Sequence, residues 1–249
     1  MAVTQAKIKC QRQLIPGVFH LILTGIPMGT PGQFVLLHLE ETSSLLLPRP
    51  ISLFDQNPQT GETGLVYRIA GRGTALLAKM GGGTSLRVTG PLGNGFPLKK
   101  SCEAGASGDL TAIGGGLGIA PLYYLIKAKR AAQPSARVRV HLGYSGEPFL
   151  REEFAALGAE LTVDVGGYVT DQVDFSVPGV YCACGPEPMM RAAAKKAQAA
   201  HASLYVSLEK RMGCGVGACL ACSVPTPQGN RRVCKDGPVF PAQEVFFHE

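Results

Sequence analysis

The rhythm of the chain changes once, near residue 98, and that change limits the possible fold more than any single motif. From Val3 to about Pro97 the apolar residues come in short or alternating runs, IKCQRQLI, VFHLILTG, GQFVLLHLE, ISLF and LVYRIAG, cut apart by Pro and Gly. Such runs are strands, and several in succession predict a small antiparallel barrel. Within it GTALLAKM reads as a short helix and GPLGNGF as a turn-rich exit. From about Leu98, strand-like LTAIGGG, RVRVHLGY, ELTVDV and VYCACG alternate with helix-like IAPLYYLIKAKRAA, PFLREEFAAL and EPMMRAAAKKAQAA. That alternation predicts a parallel sheet covered by helices. The expected class is therefore β followed by α/β, with a barrel over residues 1–97, a parallel-sheet domain over 98–202 and a small terminal region over 203–249.

The terminal region has too little periodicity to build a core alone and needs a staple. Its stretch GCGVGACLACSVPTPQGNRRVC, residues 213–234, holds four of the chain's eight cysteines. Cys214, Cys219, Cys222 and Cys234 stand in the spacing C-x4-C-x2-C-x11-C, and the first three match the plant-type [2Fe-2S] pattern. Glycines at 213, 215 and 217 let the backbone wrap closely and aim N–H groups at sulfur. A structural zinc site is the rival, but zinc usually takes two short Cys knuckles, and here only one end is knuckle-like. Cys10, Cys102 and Cys182 read as buried small residues.

Composition narrows the function classes. The formal charge is +6, but Lys and Arg fall in scattered pairs with few aromatics, which argues against a nucleic-acid surface. No secretory leader or membrane-spanning run is legible, so the expectation is a cytoplasmic protein with no membrane partner. GYSGE is not a nucleophile elbow, and the five histidines are dispersed.

The remaining signals concern nucleotides. In LLPRPISLF, Arg49 can neutralise a phosphate, Pro50 fixes the backbone and Ser52 offers a hydroxyl. Downstream, in VYRIAGRGT, Tyr67 is a candidate to stack on a ring, and Gly73-Thr74 opens a short helix suited to a pyrophosphate. AIGGGLGIAP is a glycine-rich strand-to-helix turn, with Gly114, Gly115, Gly116 and Gly118 allowing close approach of a dinucleotide. It lacks the G-x-G-x-x-G spacing, and no acidic residue closes the next strand, so NAD and NADP stay open; Arg151 is a possible phosphate partner. A later strand ends CACGPEPMM, which would set Cys184 and Gly185 at the same sheet edge, with Cys184 facing a nicotinamide ring.

The order RPIS, YR, GT, GGGLGIAP, CGPEPM resembles the ferredoxin reductase superfamily, an FAD-binding barrel followed by an NAD(P)-binding domain. CGVGACLAC with VCKDGPVF, and the turn GPLGNGFP, resemble more narrowly the electron transfer subunits of type B dihydroorotate dehydrogenase. The resemblance covers essentially the whole chain. It implies FAD contacts from Arg49, Pro50, Ile51, Ser52, Val66, Tyr67, Arg68, Gly73 and Thr74, and a [2Fe-2S] cluster on the four cysteines. It also implies an FMN-containing catalytic partner in a heterotetramer of two chains of each kind, serving pyrimidine biosynthesis. Electrons would run from FMN through the cluster and FAD to NAD+, with residues 213–218 near the partner. Two alternatives are the reductase subunit of another complex, such as a sulfhydrogenase, a sulfite reductase or a ferredoxin:NADP oxidoreductase, and a zinc-stapled binding module without enzyme chemistry.

Overall fold

The computed structural model describes residues 3–39, 47–98 and 108–247; Cys102 lies outside them. Strands β1 (Val3–Ile15), β2 (Val18–Thr24), β3 (Phe34–His38), β4 (Arg49–Asn57), β5 (Glu62–Arg68) and β6 (Ser85–Leu92) close an antiparallel barrel in the order β1-β2-β5-β4-β3-β6. Its interior is filled by Ile8, Leu21, Leu23, Val35, Leu37, Leu53 and Leu65, as strand alternation requires. Helix α1 (Arg72–Leu77) follows β5.

Two details differ from the sequence reading. β6 runs through the Gly90-Pro91 stretch expected to be an exit, because β3 pairs with Thr89 before it and Leu92 after it, with a register shift between. Cys10, expected to be buried, is exposed. A register shift between Ile8 and Cys10 changes the phase of β1, so that Ala6 and Ile8 point inward while Cys10 points out.

The second half forms a six-stranded sheet. β7 (Leu110–Gly115) leads through a 3-10 turn (Gly116–Ile119) into α2 (Ala120–Ala132), then β8 (Val138–Tyr144), α3 (Arg151–Ala155) and β9 (Glu160–Val165). β10 (Val180–Cys184), α4 (Glu187–Ala199) and β11 (Ser203–Ser207) follow, then the two-stranded ribbon of β12 (Ser223–Val224) and β13 (Arg231–Arg232). β14 (Val239–Pro241) and α5 (Ala242–Phe246) come last. The order is β14-β11-β10-β7-β8-β9, parallel except for β14. β11 and β14 thus bring residues from beyond position 202 into this sheet.

Alternation along the strands divides two cores. Leu110, Ala112, Val180, Cys182 and Cys184 face α2, whereas Ile113, Tyr181, Ala183 and Val206 face α4, α5 and the cysteine segment. Barrel and sheet are locked by the Phe54–Tyr123 stack at 4.4 Å, and by Lys127 Nζ donating to both Asp55 carboxylate oxygens at 2.7 and 2.8 Å. No helix among the described residues is long and apolar enough to cross a membrane.

Candidate functional site

The barrel carries a built-in gap. β4 pairs with β3 through Arg49–Ser52 but with β5 only from Leu53 onward, where Leu53 faces Leu65. Beyond that pair each strand keeps one partner, and the open edges lie at a cleft of about 680 Å3. A planar ring whose rim carries hydrogen-bond donors and acceptors can satisfy such edges, as a ladder partner would. Arg49, Pro50, Ile51, Ser52, Val66, Gly73 and Thr74 all line this cleft.

The local reasons are legible. A Cβ on Gly73 would collide with the Arg49 guanidinium, so the glycine makes room for the cation. Arg49 Nη1 donates to Leu47 O, which anchors it at the rim. The Thr74 hydroxyl accepts from the N–H groups of Ala70 and Gly71 at 2.9 and 3.2 Å, tying down the turn before α1. Tyr67 is the exception to the stacking expectation. Its ring is fully buried in the barrel, stacked on Phe19, and its hydroxyl donates to Gln11 Oε1 at 2.9 Å. β5 is buried on both faces from Thr63 to Tyr67, so alternation there does not reveal which side chain meets the cleft; Val66 does.

A second cleft of about 510 Å3 opens at the carboxyl ends of β7 and β10 and is lined by Gly115, Gly116, Gly118, Gly185 and Arg68. There the strand order reverses, with β8 on one side of β7 and β10 on the other, the position at which open α/β sheets bind nucleotides. A Cβ on Gly118 would lie 2.5 Å from the Cys184 backbone, so the glycine lets turn and strand end touch. Gly114 is not at the surface; a Cβ there would strike Ile119 and Leu122, so it serves strand-to-helix packing. Cys184 is 1% exposed and its thiol pKa is raised by burial. Its strand neighbour in register, Ser207, and the following Gly185 reach the clefts in its stead. Arg151 starts α3 and belongs to neither cleft.

The two clefts share Leu117, Leu208, Glu209 and Lys210, so they are lobes of one groove between barrel and sheet. Sequence reasoning missed Phe34, Ser207, Glu209 and Met212 in its walls. For Glu209 the available signal was a lone carboxylate closing the apolar run SLYVSL.

Met212 leads from that groove into the cysteine loop. The Cys219 N–H donates to Cys214 Sγ and the Cys234 N–H to Cys222 Sγ, each at 3.4 Å, so the cysteines lie in two neighbouring pairs, and they form no disulfide. Among the described residues no three metal-binding side chains converge as a single-ion site. Zinc needs all four thiolates on one ion, whereas a [2Fe-2S] cluster takes them in two pairs, and the geometry here is two pairs. N–H groups point at the sulfurs, from Gly217 to Cys234 at 3.1 Å and from Val216 and Cys219 to Cys214 at 3.4 Å each. Burial opposes ionisation of Cys214, but these donors, with the Cys219 thiol, outweigh it and bring the pKa to about 6. For Cys234, burial and the Cys222 thiol push it up to about 12.

The loop is held on both sides. A Cβ on Gly215, whose φ is +71°, would lie 2.4 Å from Leu36 Cδ1 of the barrel. Asn94, at the barrel exit, donates from its side chain to Asp236 O at 3.1 Å, and Arg232 forms a two-point ion pair with Asp236 across the turn that carries Cys234. Cys222 and Cys234 are each 2% exposed, whereas Cys219 faces solvent beside Val216 and Leu220.

Comparison with known proteins gives three results. Residues 209–246 match the family model described as the iron-sulfur cluster binding domain of dihydroorotate dehydrogenase B. The electron transfer subunits of dihydroorotate dehydrogenase B (NAD(+)) from Shouchella clausii (strain KSM-K16) and Bacillus caldolyticus are 38% and 40% identical to the chain. The alignments cover 94% of this chain and 95% of the first relative, and 96% of this chain and 96% of the second. Among solved structures, an NADH-dependent reduced ferredoxin-NADP oxidoreductase superposes with a TM-score of 0.81 at 30% identity, covering 98% of this chain and 90% of that one. A ferredoxin NADP+ reductase from Neisseria gonorrhoeae, with bound FAD and NADP, superposes at 0.65 and 17% identity over 80% of this chain and 92% of its own, a likeness of fold.

Proposed function

Because the chain belongs to the family of dihydroorotate dehydrogenase B electron transfer subunits, we propose that it carries electrons from the FMN of a catalytic partner through a [2Fe-2S] cluster and FAD to NAD+. The observation that carries this reading is the single groove, one lobe at the split barrel strands, the other at the glycine turn, with Met212 leading on to the paired cysteines.

In this reading Arg49 and the turn held by Thr74 receive the FAD phosphates, and the open backbone edges of Arg49–Ser52 and Val66–Arg68 receive the flavin rim. Gly115, Gly116, Gly118 and Gly185 receive the nicotinamide nucleotide. Cys214, Cys219, Cys222 and Cys234 hold the cluster. A bound flavin supplies the one chemistry that the side chains lack, accepting electrons singly and releasing them as a hydride. The chain's own task is positional. Phe54 against Tyr123, and Lys127 against Asp55, hold the lobes at a fixed separation, and Gly215 seats the cysteine loop on the barrel.

Leu220 is 61% and Val216 38% exposed beside the cluster ligands, and we assign this face to the catalytic partner, in a complex of two chains of each kind. Free cysteines suit the reducing cytoplasm. The test is anaerobic. The complex recovered natively through a tagged copy of this chain is given dihydroorotate and NAD+, and NADH absorbance is followed. A dihydroorotate-dependent rise supports the reading. No rise, in a complex that still reduces a dye with NADH, points instead to a reductase subunit with another partner, the second reading favoured by the 0.81 superposition.

A further inference from the structure

We propose that Glu209 delivers the proton that must accompany electrons onto a flavin in the barrel lobe, an inference that rests on the reading of that lobe given above. Glu209 follows β11 and lines both lobes where they join. Electrons from an iron-sulfur cluster arrive singly and without protons. Oxidised flavin, two electrons and one proton give the anionic reduced flavin, and the hydride that passes to NAD+ carries both electrons and that proton. Each pair delivered by the cluster therefore requires one proton that the cluster does not bring.

Glu209 is suited to supply it. The residue is exposed, so solvent can restore its proton. The groove walls nevertheless remove enough hydration from the carboxyl to raise its pKa above the usual carboxylate range, closer to the working pH of a general acid. The surrounding charges do not hold it ionised. Lys210, on the same segment, turns to Glu187 at the start of α4 at 3.8 Å, and Arg191 of α4 donates to the same Glu187 at 3.0 Å. Arg49 of β4 donates to Leu47 O. Arg68 of β5, Arg72 of α1 and Arg211 stand in the groove walls. Cys184 of β10 is held as a thiol by burial, with the Glu209 charge adding to the effect.

The test uses the flavin- and cluster-loaded chain and compares two reductants in anaerobic stopped flow. NADH brings its own proton as hydride; reduced methyl viologen brings electrons alone. Glu209→Gln should slow viologen-driven flavin reduction about tenfold or more beyond any slowing of NADH-driven reduction. In wild type the viologen-driven rate should fall as pH rises through the Glu209 pKa; in Glu209→Gln that pH dependence should vanish, whereas a solvent deuterium isotope effect should be present because slow proton delivery then limits the rate. Glu209→Asp, which keeps a carboxyl, should recover most of the rate and serves if the Gln variant does not fold. Equal slowing with both reductants would make Glu209 a structural support and overturn the proposal, as would no slowing with either. A wild-type chain that binds no flavin would overturn the reading of the lobe, and the proposal with it; flavin content separates that failure from a failure of Glu209 alone.

Discussion

Arg49 and Gly73 are complementary surfaces: the guanidinium occupies the volume that a Cβ at position 73 would need. Gly73→Ala should displace the cation while leaving the backbone unstrained, since φ at this glycine lies outside the left-handed range. A charge-assisted hydrogen bond is worth about 1.5–3 kcal/mol, so FAD affinity should fall about 10- to 100-fold in both Gly73→Ala and Arg49→Ala. Flavin fluorescence titration of the stripped chain measures it, with melting temperature as the control for folding.

The paired cysteines predict stoichiometry. Native protein should carry two irons and two inorganic sulfides per chain, and either Cys222→Ser or Cys234→Ser should abolish the cluster's visible absorption. Cys10→Ser, on the outer face of β1, should leave it unchanged. One zinc and no iron in native protein would contradict the two-pair geometry.

In the cluster-free chain Cys214 should be alkylated by iodoacetamide at neutral pH. The thiolate is the reactive form, and a pKa of about 6 keeps it populated above that pH and lost below it. The rate should therefore fall as pH drops through about 6. Cys182 and Cys184, raised by burial, should resist throughout. Peptide mapping reads the three sites separately.

Leu220 has φ +59° and is 61% exposed beside Cys219. Leu220→Asp keeps a residue that tolerates this backbone and removes the apolar surface. Burying a leucine is worth about 1.5–3 kcal/mol, so the variant should bind the catalytic partner about 10- to 100-fold more weakly, with cluster and FAD content intact. Analytical ultracentrifugation of the mixed chains checks this.

Gly215→Ala should separate two functions. The new methyl would strike Leu36 and strain a left-handed backbone, lifting the loop off the barrel. NADH-to-dye turnover should persist, while electron exchange between flavin and cluster should slow, as seen by freeze-quench spectroscopy.

Much of this architecture is legible in the sequence because strand period and strand-helix alternation are local. The barrel's strand runs, the glycine turn after β7 and the spacing of the four cysteines needed no tertiary information. What the local pattern hides is set by partners distant in sequence. β6 carries its Gly-Pro stretch through the barrel because β3 pairs with it on both sides, at Thr89 and Leu92. Tyr67 turns into the barrel because β5 is covered on both faces, and Cys10 turns out because of a bulge. Glu209 becomes notable only when the sheet places its strand end against the barrel cleft.

The cysteine segment leaves the sheet after Ser207 and returns at Val239, its register partner, with the Leu208 N–H donating to Pro238 O at 2.9 Å across the gap. Topologically it is an overgrown hairpin loop hung from an antiparallel strand pair. A tight turn joining β11 directly to β14 would satisfy the same ladder. The electron inlet is thus an attachment that the reductase could exchange for another without redrawing its sheet.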